Sequence, residues 1–328
     1  MAWLKKTWLK RLKSRWFIYP LLLVLTYPLA ETAVYSMMKM NGFVIDKPLI
    51  PANEIYQGGP PRDGIPSIDN PDFISVKQTQ FLAESDRVLG LTFNGVSKAY
   101  AINILNYHEL VNDEFNGHPV VVSFCPLCGT GMAFDALKDG KTLEFGVSGL
   151  LYNSDLLMYD RQSDSLWSQI EGKAVSGPAK GVILERLAVE HTSWGDWLSR
   201  YPNTLVLSNK TGYRRDYQRS PYPGYNQSEG TFFPVSNTDK RYHPKEVVVG
   251  IEVNGKVKAY PFVELAKGEG VLKDRFEGQI FTIEYDASAR SARVTNAQGE
   301  LISSLTVFWF AWVAFHPETE VYVHNMNP

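Results

Sequence analysis

Residues 88–100 read VLGLTFNGVSKAY, and residues 248–260 read VVGIEVNGKVKAY. In both, an alternating apolar run reaches Asn-Gly and then resumes, with Asn94-Gly95 and Asn254-Gly255 at the turns. Asn-Gly between two such runs is the strongest short-range hairpin signal, because both residues tolerate the left-handed backbone of a two-residue turn. The two segments therefore predict two hairpins, and their likeness predicts a duplication.

The likeness continues downstream. Residues 111–124 (VNDEFNGHPVVVSF) parallel residues 272–285 (LKDRFEGQIFTIEY). Further on, Trp194, Trp197, Pro202, Thr204 and Val206 match Trp309, Trp312, Pro317, Thr319 and Val321. Three blocks in the same order predict two tandem copies, at 87–208 and 246–328. Between and around them most segments are short β-branched and aromatic runs broken by Gly, Asn and Pro, the pattern of strands. The fold class expected is mainly β, a β-rich α+β arrangement with few short helices, at 102–106 and at 193–200, the latter capped by Thr192 or Ser193. A Pro-rich arm (41–86) precedes copy one and a Tyr- and Pro-rich bridge (209–245) joins the copies. The apolar run at 305–315 is too short for a membrane span and is expected to be core.

Differences between the copies point to a site. Copy one has Phe124-Cys125-Pro126-Leu127-Cys128-Gly129 where copy two has Tyr285-Asp286-Ala287-Ser288-Ala289-Arg290. Copy one also carries a long insertion at 145–178. A strand running into Cys-Pro-x-Cys-Gly can turn both sulfurs toward one point, with Gly129 supplying a positive φ. Zinc knuckles share this local pattern, so metal binding is chemically natural. One knuckle is not a complete site, however, and other ligands must come from elsewhere. His108 is the first candidate, and the thioether of Met132 suits Cu(I). Two thiolates with a histidine form a soft set that predicts copper or zinc. A local Cys125–Cys128 disulfide is the competing expectation, since the same spacing permits one. A thioredoxin-type site is disfavoured, because Gly129-Thr130-Gly131 discourages the helix such a site needs. The insertion holds a second polar cluster, Tyr152, Asn153 and Asp155, either lining a pocket or capping a sheet edge.

Composition bounds the rest. A net charge of −2 over 328 residues gives no sign of nucleic-acid binding. Two cysteines exclude a disulfide-stapled scaffold. Residues 1–40 pair a basic run, from Lys5 to Arg15, with an uncharged apolar stretch at 16–30. That order predicts a signal anchor with its N-terminus in the cytoplasm and the body periplasmic or extracellular. The expected partners are thus the membrane and a metal ion. No hydrolase elbow, phosphate-binding loop or HExxH is present.

Several blocks resemble the bacterial and archaeal family known as domain of unknown function 3179. They are residues 58–66 (GGPPRDGIP), 108–113 (HELVND), 124–130 (FCPLCGT), 149–155 (GLLYNSD), 166–169 (LWSQ) and 211–213 (TGY), with the Asn94-Gly95 hairpin. The resemblance covers nearly everything after residue 50. It implies that His108, Cys125, Cys128, Tyr152 and Asp155 are site positions, and it implies no particular reaction. Gly131-Met132 departs from the Ala-Val pair expected there, which sets Met132 apart from the family pattern. Together these readings predict a membrane-anchored extracytoplasmic metal-binding protein. The alternatives are a non-catalytic interaction module with a disulfide, or an enzyme working at Tyr152 and Asp155.

Overall fold

The computed structural model describes residues 38–324. The basic run and the apolar stretch read as an anchor lie outside the described residues. Among the described residues no helix is long and apolar enough to cross a membrane.

The chain is mainly β with a few short helices, and five sheets form a propeller-like ring. Each copy supplies two of them. In copy one the hairpin Arg87–Phe93 and Val96–Ala101 is flanked by Val189–Ser193 and, in parallel, by Leu205–Leu207. In copy two the hairpin Val247–Val253 and Lys256–Pro261 is flanked by Leu305–Phe308 and, in parallel, by Glu320–Val321. The registers agree residue for residue: Lys98 pairs with Leu205 as Lys258 pairs with Glu320. The second sheet of each copy is built on a three-strand meander, Leu110–Phe115, His118–Cys125, Thr130–Asp135 in one, where Arg186–Leu187 adds a fourth strand, and Val271–Phe276, Gln279–Asp286, Ser291–Thr295 in the other. The repeat is therefore a two-sheet unit.

Its core is reproduced in the same detail. The indole N–H of Trp197 donates to Thr204 at 3.0 Å, and that of Trp312 donates to Thr319 at 2.9 Å. Gly90 and Gly250 lie against these rings, where a Cβ would meet an indole carbon at 2.2 Å. The expected helices are present as Ile102–His108 and Trp194–Arg200, the second capped by the Ser193 side chain accepting from the Asp196 N–H. The apolar run at 305–315 is a buried strand and helix, Leu305–Phe308 and Trp309–Phe315.

The insertion makes the fifth sheet. Phe145–Tyr152, Asp155–Asp160, Leu166–Ser168 and Lys173–Ser176 form a meander whose outer edge is closed by Ile55–Gln57 from the Pro-rich arm. The arm also adds Phe73–Ser75 to the first hairpin sheet. Both additions pair an open strand edge, which otherwise leaves backbone groups free to recruit another chain.

The copies interlock. Val189–Ser193 of copy one packs on Ser291–Thr295 of copy two, and Leu305–Phe308 of copy two packs on Thr130–Asp135 of copy one. His316 ends the copy-two helix and stacks on Trp312 at 4.2 Å. Burial, and then Arg186, pushes its pKa from 6.5 down to about 4. The folded protein thus holds it neutral, while the unfolded chain gains a proton below pH 6.5. Stability is expected to fall as pH drops from 6.5 toward 4. In urea titrations across that window, His316→Gln should flatten the decline, and an unchanged slope would refute the assignment.

Candidate metal centre

Two turns from different sheets meet at the site. The first joins His118–Cys125 to Thr130–Asp135, with Cys125 opposite Thr130 in the ladder. Gly129 takes φ +64, and a Cβ there would meet the Phe308 ring at 2.9 Å, so this position needs glycine twice over. Phe308 explains the crowding, since its N–H donates to the Cys128 carbonyl at 2.9 Å. Copy two therefore clamps the cysteine turn from outside.

The second turn is a two-residue hairpin in the insertion. Tyr152 pairs with Asp155, and Asn153 and Ser154 both have positive φ, 52 and 64. Asn153 anchors it: its Nδ2 donates to the Ala314 carbonyl at 3.3 Å, and its Oδ1 accepts from the N–H and hydroxyl of Ser236, both at 2.8 Å. Tyr152 packs edge-on against Phe315 at 5.6 Å. This turn presents the Ser154 carbonyl to both thiols, at 3.3 Å from Cys128 Sγ and 3.9 Å from Cys125 Sγ.

The two cysteines are free, and their sulfurs and a carboxylate oxygen of Asp155 lie within 4.8 Å of one another. All three side chains are buried, at 2% or less exposure. Asp155 Oδ2 accepts from the Ile170 N–H at 3.2 Å, whereas Oδ1 is enclosed with no partner. The Ser154 hydroxyl and Gln169 Oε1 are likewise enclosed without partners, although Gln169 Nε2 donates to Ser123 at 2.9 Å. Enclosed polar atoms without partners cost free energy.

Burial raises the pKa of every acid here. It pushes the Cys125 thiol up, the Cys128 thiol well up, and Asp155 up to about 7. Glu109, buried at the end of the first helix with φ +59, is raised to about 8 by burial and then by Asp155. Lys245 is the nearby cation. It is 5% exposed, donates to the Gly230 carbonyl at 2.7 Å and lies over the rings of Tyr225 and Phe310 at 4.2 and 4.8 Å. Burial lowers its pKa, and Cys128 is the group that acts against this.

The structure departs from the expected ligand set at His108. Its Nδ1 lies 2.8 Å from the Pro66 carbonyl and its Nε2 2.7 Å from the Tyr217 hydroxyl. A carbonyl only accepts, so Nδ1 carries the proton and Nε2 accepts from Tyr217. Both nitrogens are occupied, and His108 lies outside the Cys125–Cys128–Asp155 group. Met132 is buried on the same face of the meander as Cys125. Asp155, expected in a separate pocket with Tyr152 and Asn153, instead joins the cysteines. Ser154, Gln169 and Glu109 lie within the quoted blocks without having been singled out, while Lys245 and Tyr225 had no sequence signal.

Copy two shows what the turn does without cysteines. Asp286 stands at the position of Cys125 and accepts from the Ser288 N–H and hydroxyl and from the Ala289 N–H, at 2.6–3.0 Å. Those bonds, with Ser288 foremost, lower its pKa. Its turn is satisfied by its own side chain, whereas the copy-one thiols turn toward the Ser154 carbonyl and Asp155.

Among curated proteins and among solved structures, nothing matches the chain. A family model matches residues 62–301, which span the copy-one sheets, the insertion and most of copy two. The chain belongs to the family described as protein of unknown function (DUF3179).

Proposed function

We propose that the protein binds one thiophilic metal ion, zinc in preference to copper, through Cys125, Cys128 and Asp155. The observation that carries this reading is the meeting of two free thiols and a carboxylate oxygen of Asp155 within 4.8 Å of one another, all three side chains buried. The choice of zinc follows from charge and ligand type. Two thiolates and a carboxylate carry three negative charges, and a divalent ion with the Lys245 ammonium neutralises them. Cu(I) would leave one charge buried and uncompensated, which is costly, and a carboxylate suits zinc better than Cu(I). Three protein donors leave a fourth position on a tetrahedral ion, the pattern of sites that bind and exchange a further ligand. The location fits the same reading. The basic and apolar segments at 1–40 support an anchored, extracytoplasmic body, and exported thiols persist best when a metal holds them.

The test is metal content by elemental analysis, with a thiol count, on the full chain purified without chelator. Near-stoichiometric zinc is expected, lost in Cys125→Ser and held more weakly in Asp155→Asn. Copper in its place would keep the site and change the ion. Absence of both metal and free thiols would make the pair a disulfide and overturn the reading, as would full metal in Cys125→Ser.

A further inference from the structure

A second site lies where the copies interlock. A cavity of about 460 Å³ is bounded by Pro126 and Gly129 from the cysteine turn and by Tyr285 and Arg290 from its copy-two counterpart. Its volume is in the range of small-molecule sites. Much of the wall is apolar, with Phe124, Phe262 and Phe308 prominent, and Arg87, His191 and Arg290 bring basic groups to it.

Among the described residues neither arginine forms an ion pair, and Asp196 is the acid whose charge acts on Arg87. The Arg87 guanidinium donates to the Ala289 carbonyl and, at 2.8 Å, to the His191 carbonyl, so one backbone group from each copy orients it. Burial lowers its pKa to about 10, and the next cause is repulsion by Arg290. The carboxylates around the two arginines are engaged elsewhere: Glu190 and Asp196 pair with Arg200, Glu190 and Glu284 pair with Arg293, and Asp286 accepts from Ser288 and Ala289. Glu246 also lines the cavity, but it accepts from the Val263 N–H at 2.8 Å and burial raises its pKa. His191 Nδ1 is enclosed without a partner, and burial, Arg87 and Arg290 hold its ring neutral.

Arg290 is also costly where it stands. Its φ is +46, at the position where copy one has Gly129 with φ +64. That conformation favours glycine, and a bulky residue held in it marks a position whose side chain is needed. Two guanidiniums close enough to repel each other, neither in an ion pair, on the wall of a largely apolar cavity match an anion with an apolar body.

We propose that this cavity binds a small organic anion, a carboxylate or phosphate monoester. Its charge sits on Arg87 and Arg290 and its apolar part against the three phenylalanines. None of the proposed metal ligands lines it, and Lys245, the counter-charge in the metal reading, is the one group the two sites share.

The test is calorimetric titration of the full chain at low salt with benzoate, phenyl phosphate, inorganic phosphate and neutral benzyl alcohol. Benzoate or phenyl phosphate should bind, whichever heads the true ligand, and benzyl alcohol should not. Arg290→Gly installs the residue that copy one carries at this turn, so the variant should fold. It should weaken anion binding about ten-fold or more. No binding of either organic anion at millimolar concentration would overturn the proposal. So would equal binding by Arg290→Gly, or equal binding of benzyl alcohol. Inorganic phosphate binding as tightly as phenyl phosphate would remove the apolar subsite and overturn the ligand class.

Discussion

Asp113→Ala is expected to destabilise the protein by about 3–5 kcal/mol, because it strands a buried ammonium. Lys98 Nζ lies 2.8 and 2.9 Å from the two carboxylate oxygens of Asp113, and the side chains are 8% and 4% exposed. The Tyr100 hydroxyl donates to the same carboxylate, so two polar side chains of the neighbouring sheet converge on one residue. Without it, Lys98 keeps only the Glu114 carbonyl and the faces of Phe73 and Phe115. Copy two repeats the arrangement as Lys258, Asp274 and Tyr260, with the ion pair at 2.6 Å. There the side chains are 13% and 20% exposed, so water can take over part of the role. Asp274→Ala should therefore cost less, about 1–2 kcal/mol. Urea denaturation of both variants checks this. Equal costs, or a cost under about 1 kcal/mol for Asp113→Ala, would contradict the burial argument.

Gly250→Ala and Gly90→Ala should each cost about 3 kcal/mol or more, at the upper end of overpacking penalties. A Cβ at either position would lie 2.2 Å from an atom of a buried indole, Trp312 or Trp197. The rings cannot yield, because each is enclosed and its N–H is tied to a threonine. Gly230→Ala is the control. Nothing lies within 4 Å of the added carbon and its backbone is not left-handed, so the change should stay within about 0.5 kcal/mol. Trp312→Phe combined with Gly250→Ala should recover part of the loss, since the smaller ring frees the space. A double-mutant cycle showing strict additivity would sink this account.

These two glycines also show how the chain was legible. Both fall inside the quoted hairpin segments, at the same offset from Asn-Gly, and the matched tryptophans fall at matched positions further on. Hairpin turns and capped helices are local, so residues such as Asn94, Gly95 and Ser193 announce them. A duplication is legible because it needs only comparison of the chain with itself. The Cys-Pro-Leu-Cys-Gly turn was legible on the same grounds, since copy two lacks it.

The partners of that turn were not. His108 lies nearer in sequence to Cys125 than Asp155 does, and histidine is the commoner companion of thiolates, yet it is committed to Pro66 and Tyr217. Asp155 reaches the cysteines because the insertion forms a whole sheet whose hairpin turn docks on the neighbouring sheet. No local pattern states which of two turns, some 30 residues apart, will meet. Likewise, nothing in residues 285–290 marks Arg290 as facing Arg87, which comes from the other copy. The sequence by itself determined the hairpins, the repeat and the odd turn, because those depend on backbone preference and periodicity along one segment. Only the tertiary structure decided which side chains share a buried volume, because that depends on how five sheets close against one another.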